Sequence, residues 1–177
     1  MKSLYVIIGI PLVLLAGVIT EKFNFSPYDV TISNVNGYDL IALNNCLYTT
    51  EIGSPLLPKF EYTLLIPPSA EVTGVEVIGF ERKEIPGSFY IYPAQPPVPI
   101  SLIGEIREFV KPDPDVYGST QPYPKEIVGF TSSGCMGGYR LTGVTVYPFQ
   151  YVPQEKKLYL YRAITLRLSY EEGRHEV

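Results

Sequence analysis

The alternation of hydrophobic and polar residues near the C-terminus predicts the strand around which this chain is organised. Ile164, Leu166, Leu168 and Tyr170 alternate with polar residues and therefore share one face of an extended segment. Side chains in a β-strand point to opposite faces in turn, so the pattern predicts a half-buried strand. Residues 157–162, just before it, predict a second short strand of the same kind.

The segment that precedes these strands, YPFQYVP (147–153), is predicted to lie at the edge of a sheet. Pro148 and Pro153 lack the backbone N–H that a central strand needs, so the segment is an extended edge or a connector. Its aromatic residues would be carried onto the sheet.

Short apolar runs separated by turn residues extend this pattern over the chain. Residues 29–43 predict a hairpin, because Asn36-Gly37 favours the positive φ angles of a tight turn. Gly74 is expected to mark a bulge. The glycine-rich SSGCMGG (132–138) is predicted to be a loop. Further strands are predicted over residues 46–50, 61–66, 71–80, 85–92, 127–130 and 139–147.

About eight to ten such runs predict an all-β fold, a single antiparallel β-sandwich-like domain with proline-rich loops. The most proline-dense segment, PAQPPVP (93–99), is flanked by tyrosines and followed by apolar residues, so we expect it to pack on the domain surface. The alternative is a flexible linker. Residues 111–124 are predicted to form a long surface loop.

The N-terminal segment Met1–Thr20 has the layout of a secretory signal peptide. Lys2 precedes an apolar run, and Ala16-Gly17 brings small residues near its end. The alternative is a membrane anchor that stays attached. The predicted division is therefore a signal peptide over 1–20 and one β domain over 21–177. The domain would be secreted, at the cell surface or periplasmic, with no stable membrane span after cleavage.

Composition and charge narrow the classes of partner. The 177 residues are 46% hydrophobic, enough for one domain with a core. The net charge of −4 and the lack of a basic patch argue against nucleic acid as a partner.

The residue types needed for catalysis are sparse. His175 is the only histidine and lies in a polar tail, and the two cysteines, Cys46 and Cys135, form no CxxC motif. We therefore predict no catalytic constellation, no metal site and no cofactor. For the cysteines, a disulfide and two free thiols remain open alternatives, because sequence does not show whether they are close in space.

Several short sequence motifs together resemble the N-terminal propeptide of gingipain-type cysteine peptidases, peptidase family C25. They are GSPLLP (53–58), YTLLIPP (62–68), YIYPAQPPVP (90–99), QPYP (121–124), GYRLTGVTVYPFQYVP (138–153) and LYLYRAITLRLSY (158–170). The order and spacing match over about residues 29–170. The resemblance implies a folded β domain that assists folding of a caspase-like catalytic domain and keeps it latent. The catalytic histidine and cysteine of that family have no counterpart here.

A latency domain needs a protruding segment that fills a specificity pocket. For an arginine-directed peptidase the candidates are Arg82, in a predicted FERKE turn, and Arg107, whereas Arg140 is expected to be structural. Arg174 would suit a processing site if a peptidase followed. The partner implied is a C25 peptidase domain, in cis or in trans. The alternative is a stand-alone extracellular binding or adhesion domain that uses tyrosines as stacking platforms.

Overall fold

The computed structural model describes residues 15–98 and 108–172, which form three antiparallel sheets. The strands are β1 (Leu15–Asn24), β2 (Val30–Val35), β3 (Tyr38–Leu43), β4 (Leu47–Tyr48), β5 (Pro58–Ile66), β6 (Ala70–Ile85), β7 (Val128–Met136), β8 (Tyr139–Val146), β9 (Phe149–Val152) and β10 (Lys157–Glu172). A 3₁₀ turn covers Pro27–Asp29, and a short helix, α1, covers Pro114–Tyr117. The predicted all-β sandwich-like fold is confirmed. No helix within the described ranges is long and apolar enough to cross a membrane.

Strand β10 is the centre of the first sheet. It pairs with β6 along one edge, and with β9 and then β1 along the other. The two strands predicted separately near the C-terminus are thus one strand of 16 residues. The segment predicted to be an edge or connector contains β9, which is an edge strand.

A bulge in β10 lets this strand contribute to two cores. The register with β6 shifts between Tyr161 and Ala163, so that Arg162 is the extra residue. The shift changes which side chains of β10 point to each face of the sheet. Before it, Leu158 and Leu160 enter one core, and after it Ile164 and the following alternate residues enter the other.

The second sheet has the order β4-β5-β8-β7 and packs face to face with the first. The SSGCMGG segment, predicted to be a loop, is corrected: its first five residues belong to β7, and only Gly137-Gly138 forms the turn into β8, with φ angles of 58° and 82°. The β2–β3 hairpin and its Asn36-Gly37 turn are confirmed. Gly74 also lies at a bulge, because the register shifts between Gly74 and Val72.

We call the space between the two larger sheets the sandwich core. Its buried members come from β1, β5, β6, β7, β8 and β10, and they are Phe23, Leu64, Ile66, Ala70, Val128, Val144, Val146, Tyr161, Ile164, Leu166 and Leu168. The predicted inward face of β10 is confirmed, since Ile164, Leu166 and Leu168 are fully buried.

We call the second cluster the loop core, because irregular segments supply part of it. Its members are Ile41, Leu43, Leu57, Phe89, Ile91, Phe149, Tyr151, Leu158 and Leu160. The strand predicted over 85–92 is wrong: β6 runs to Ile85, and Pro86-Gly87 then turns the chain into an irregular segment held by isolated bridges. The proline-rich segment packs on the domain as predicted, with Pro93 and Ala94 buried.

Candidate interaction site

A network of aromatic rings covers the outer side of the loop core. Tyr38 stacks on Tyr90 with ring centroids 5.0 Å apart, and it also contacts Tyr92 at 5.9 Å and Phe109 at 5.7 Å. Tyr117 meets the edge of Tyr90 at 5.7 Å. These rings come from β3, from the irregular segments on either side of residues 99–107, and from α1.

Four of these rings line a groove of about 620 Å³, which we call the aromatic groove. Its walls include Tyr38, Tyr90, Phe109 and Tyr117, and Lys111 is the charged residue among its described lining. Tyr90 is 42% exposed, so at least one ring is open to a partner. Aromatic rings with one cation and no carboxylate suit an apolar or acidic protein segment.

Asp39, a residue of β3, holds the irregular segment around Tyr90 in place. Its Oδ2 atom accepts a hydrogen bond from the Tyr90 N–H at 2.8 Å. Its own backbone N–H donates to the Tyr90 carbonyl, and its carbonyl accepts from the Tyr92 N–H. An irregular segment is thereby held with three hydrogen bonds to one residue.

Gln95 joins the two segments that flank residues 99–107. Its Nε2 atom donates to the Val110 carbonyl at 2.9 Å and to the Pro93 carbonyl at 3.0 Å. Its Oε1 atom accepts from the Val110 N–H at 2.9 Å. We call this arrangement the Gln95 clasp.

Buried tyrosine hydroxyls hold the remaining irregular backbone. The Tyr117 hydroxyl donates to the Ile91 carbonyl at 2.7 Å, and the Tyr151 hydroxyl donates to the Phe89 carbonyl at 2.8 Å. Burial, together with neighbouring tyrosines, raises the pKa of Tyr117 far above its ordinary value. Burial also raises the pKa of Tyr151 to about 12. Both groups are therefore proton donors at neutral pH.

A second, larger groove of about 730 Å³ lies between the 3₁₀ turn and the end of β6. Tyr28 projects beside it and is 96% exposed. Its charged lining is balanced, with three cations and three carboxylates, and Arg162 pairs with Glu81 at 3.1 Å. The charged residues are Lys22, Lys83, Arg162, Asp29, Glu81 and Glu84. This balance favours no ligand of one charge.

Arg82 does not lie in a turn as predicted. It is an exposed residue of β6, and its guanidinium carbon lies 4.5 Å from the centroid of the Tyr159 ring. FERKE forms a strand because its backbone pairs with Tyr161 and its neighbours in β10. A guanidinium stacked on an aromatic ring is partly fixed on the sheet surface.

The other predicted site residues are placed as follows. Arg140 is in β8 as expected, and its Nη2 atom lies 3.7 Å from Glu71 Oε1. Arg107, Arg174 and His175 lie outside the described residues. Within 15–98 and 108–172, no three His, Cys, Asp or Glu side chains are grouped so as to hold a metal ion.

The disulfide considered between Cys46 and Cys135 is not formed. Both are free thiols: Cys46 packs against the loop core, and Cys135 is exposed on β7 near the β7–β8 turn. Cys46 directly precedes β4, which pairs with the beginning of β5, whereas Cys135 pairs with Arg140, whose other partner is Ile66 at the end of β5. Burial raises the pKa of Cys46 to about 11, which keeps it protonated at neutral pH.

The family model Propeptide_C25 matches residues 19–176. The chain belongs to the Propeptide_C25 family. This match spans nearly all of the described domain, and it confirms the resemblance that the proline- and tyrosine-containing sequence motifs indicated. No curated protein sequence matches the chain significantly.

Two solved structures from Porphyromonas gingivalis share the fold of this Propeptide_C25 chain. One is described as a complex of RgpB pro- and mature domains, with a TM-score of 0.73, 19% identity and coverage of 89% of this chain and 81% of that chain. The other is described as giving insight into the zymogenic latency of gingipain K, with a TM-score of 0.74, 22% identity and coverage of 90% and 93%.

The aromatic groove and the residues that hold it were missed by sequence reasoning. Tyr90 and Tyr92 beside the proline-rich segment were a signal that this region packs, and it does. Asp39 and Gln95 gave no signal, because a single polar residue in a strand or loop is ordinarily solvated. Their importance depends on backbone groups that lie far away in sequence.

Proposed function

We propose that this chain is the latency and folding domain of a secreted gingipain-like cysteine peptidase. The Propeptide_C25 match over residues 19–176 carries the proposal. The two structures of the same fold support it, since their descriptions name a pro- and mature-domain complex and zymogenic latency. The domain itself would catalyse nothing and would act by covering the peptidase.

We place the inhibitory contact next to the Gln95 clasp, with Arg107 as the residue that enters the specificity pocket. The clasp joins Gln95 to Val110, and these residues lie on the two sides of residues 99–107 in the sequence. Flanking residues that are already fixed lose less entropy on binding. Arg82 is the weaker candidate, because its guanidinium already stacks on Tyr159. Arg174 is proposed as the site at which a following peptidase would be separated.

Titration of the exported protein against a purified C25 peptidase tests this function. We expect stoichiometric inhibition of small-substrate hydrolysis. Arg107→Ala should weaken inhibition by about 30-fold or more if this side chain is an interface hot spot, whereas Arg82→Ala should change it little. Arg167→Ala is the matched control, since Arg167 is an exposed strand arginine paired with Glu76.

A correctly folded protein that neither inhibits nor binds an arginine-directed or a lysine-directed C25 peptidase would overturn the latency proposal. Equal losses for Arg107→Ala and Arg167→Ala would instead remove Arg107 from its role and leave a non-specific charge effect.

A second candidate is an extracellular binding or adhesion domain, and the aromatic groove is the observation that favours it. The groove is concave, its rings are partly exposed, and one cation lies among them. Tyr90→Ala should abolish binding of a glycan or peptide ligand found by array screening, while Tyr28→Ala, a change at an exposed tyrosine elsewhere, should not. Inhibition of a peptidase that is insensitive to Tyr90→Ala would separate the two functions.

A further inference from the structure

Strand β7 forms one edge of the second sheet. It pairs with β8 along one side, and within residues 15–98 and 108–172 no backbone hydrogen bond is formed along its other side. Val128, its first residue, belongs to the sandwich core. Beyond it, Phe130 is 51% exposed and Met136 is 69% exposed. The strand therefore offers unpaired backbone groups and open side chains to another chain.

The other long edge strands carry charges, whereas β7 carries none. Strand β6 has six charged residues among its sixteen and two bulges, and β1 includes Glu21 and Lys22. The thirteen consecutive residues 127–139 are uncharged, and none of them is proline. Charges, prolines and bulges keep edge strands from pairing with another chain. Of these, β7 has only a bulge at Thr131.

The part of β7 beyond its bulge is regular and is centred on a glycine. Thr131 is the extra residue of the bulge, and its hydroxyl oxygen lies 2.8 Å from that of Thr145. Ser132 to Met136 then pair with β8 without interruption, and Gly134 is the midpoint of this stretch. A Cβ atom at Gly134 would meet no atom of the described residues within 4 Å. Nothing in the described domain covers this midpoint.

We propose that β7 pairs antiparallel with β7 of a second copy of this chain, about a two-fold axis near Gly134. The pair joins the β4-β5-β8-β7 sheets of the two copies into one continuous sheet. In an antiparallel pair of identical strands, each strand faces its own charges, so a strand such as β6, with four glutamates, brings like charges together.

The uncharged β7 meets no such repulsion at any register. The same lack of charge argues for a second copy over an unrelated protein. Charged groups are what usually exclude wrong partners at an interface, and β7 has none to offer.

Sedimentation of the exported protein over a range of concentrations tests the pairing. We expect a reversible monomer–dimer equilibrium with a dissociation constant below about 100 μM, as for a small interface. Gly134→Lys places like charges near the axis and should raise that constant about tenfold or more. Gly74→Lys is the matched control, because Gly74 is an exposed glycine of the edge strand β6 with the same open space around a Cβ atom. It should leave the equilibrium unchanged.

A charge exchange checks the position of the axis. Gly134→Glu alone should also weaken the dimer, whereas mixing it with Gly134→Lys should restore pairing, because opposite charges then meet across the axis. Circular dichroism of each variant establishes that the fold is retained.

A protein that stays monomeric up to about 100 μM would overturn the proposal. So would a dimer that Gly134→Lys and Gly74→Lys weaken equally. A monomer in which Gly134→Lys abolishes peptidase inhibition would overturn it as well, and would assign this edge to the peptidase. The sedimentation measurement uses no peptidase, so the pairing and the latency function can fail separately.

Discussion

The sandwich core and the loop core bury similar side chains but satisfy their backbone in different ways. In the sandwich core, regular ladders between β10, β6, β5 and β8 pair the N–H and C=O groups. In the loop core, isolated backbone hydrogen bonds satisfy part of the backbone, for example between Asp39 and Tyr92. Side chains satisfy another part: the Tyr151 hydroxyl donates to the Phe89 carbonyl, and the Thr49 hydroxyl donates to the Pro55 carbonyl and accepts from the Leu57 N–H, both at 3.0 Å. Irregular backbone can therefore be buried where specific polar side chains replace the ladder.

The two cores are also connected. Strand β10 enters both, and the Tyr161 hydroxyl of the sandwich core donates to Gln150 Oε1 at 2.6 Å. Gln150 in turn donates to the Pro124 carbonyl at 2.9 Å, so the contact continues into the loop beside β9. We therefore expect one cooperative unfolding transition in which local changes affect the two cores unequally.

The largest expected effect is on the sandwich core. Leu166→Ala should lower the free energy of unfolding by about 2–5 kcal/mol, because Leu166 is fully buried and the closely packed sheets cannot collapse around the cavity. Arg167→Ala, one residue on and exposed, should cost about 0–1 kcal/mol. Urea unfolding followed by circular dichroism measures both. Two separate transitions would show that the cores unfold independently.

A smaller and more local effect is expected in the loop core. Tyr151→Phe keeps the ring but leaves the buried Phe89 carbonyl without its donor, which should cost about 1–3 kcal/mol. Amide hydrogen exchange should accelerate in residues 89–92 more than in β5 or β8. Tyr28→Phe, at a 96% exposed position, is the control and should be neutral. Uniform acceleration throughout the domain would contradict the division into two cores.

A rise in pH into the alkaline range should also destabilise the loop core first. The pKa values of Tyr123 and Tyr151 are raised to about 12, mainly by burial, from an ordinary value of 10. A raised folded-state pKa stabilises the fold fully below pH 10, and this contribution is lost as pH rises from 10 towards 12. The urea midpoint should be insensitive to tyrosine ionisation at pH 7–9 and fall above pH 10. Tyr151→Phe should weaken that fall, and an unchanged fall would contradict the assignment.

The smallest expected effect is a difference in labelling rate between the two thiols. At pH 8, a thiol reagent should label the exposed Cys135 quickly and Cys46 slowly, because burial against the loop core raises the pKa of Cys46 to about 11. Denaturant should remove the difference. Failure of both thiols to react until a reductant is added would instead reveal a disulfide.

Local patterns predicted the elements that depend on local physics. The alternation in 164–170 correctly gave the buried face of β10, and Asn36-Gly37 correctly gave the β2–β3 turn, because period and turn chemistry are encoded within a few residues. SSGCMGG was wrongly expected to be a loop. Pairing with β8 overrides the low strand propensity of its glycine and serines, since propensity is weaker than a complete ladder.

By itself, the sequence determined the all-β class, the position of the central strand, the Asn36-Gly37 turn and the family. Each of these depends on residue order over short distances or on short sequence motifs. Only the tertiary structure decided the role of Asp39 and Gln95 and the stacking of Arg82 on Tyr159. These contacts join residues that are far apart along the chain or on neighbouring strands, so their energies depend on a register that no single segment specifies.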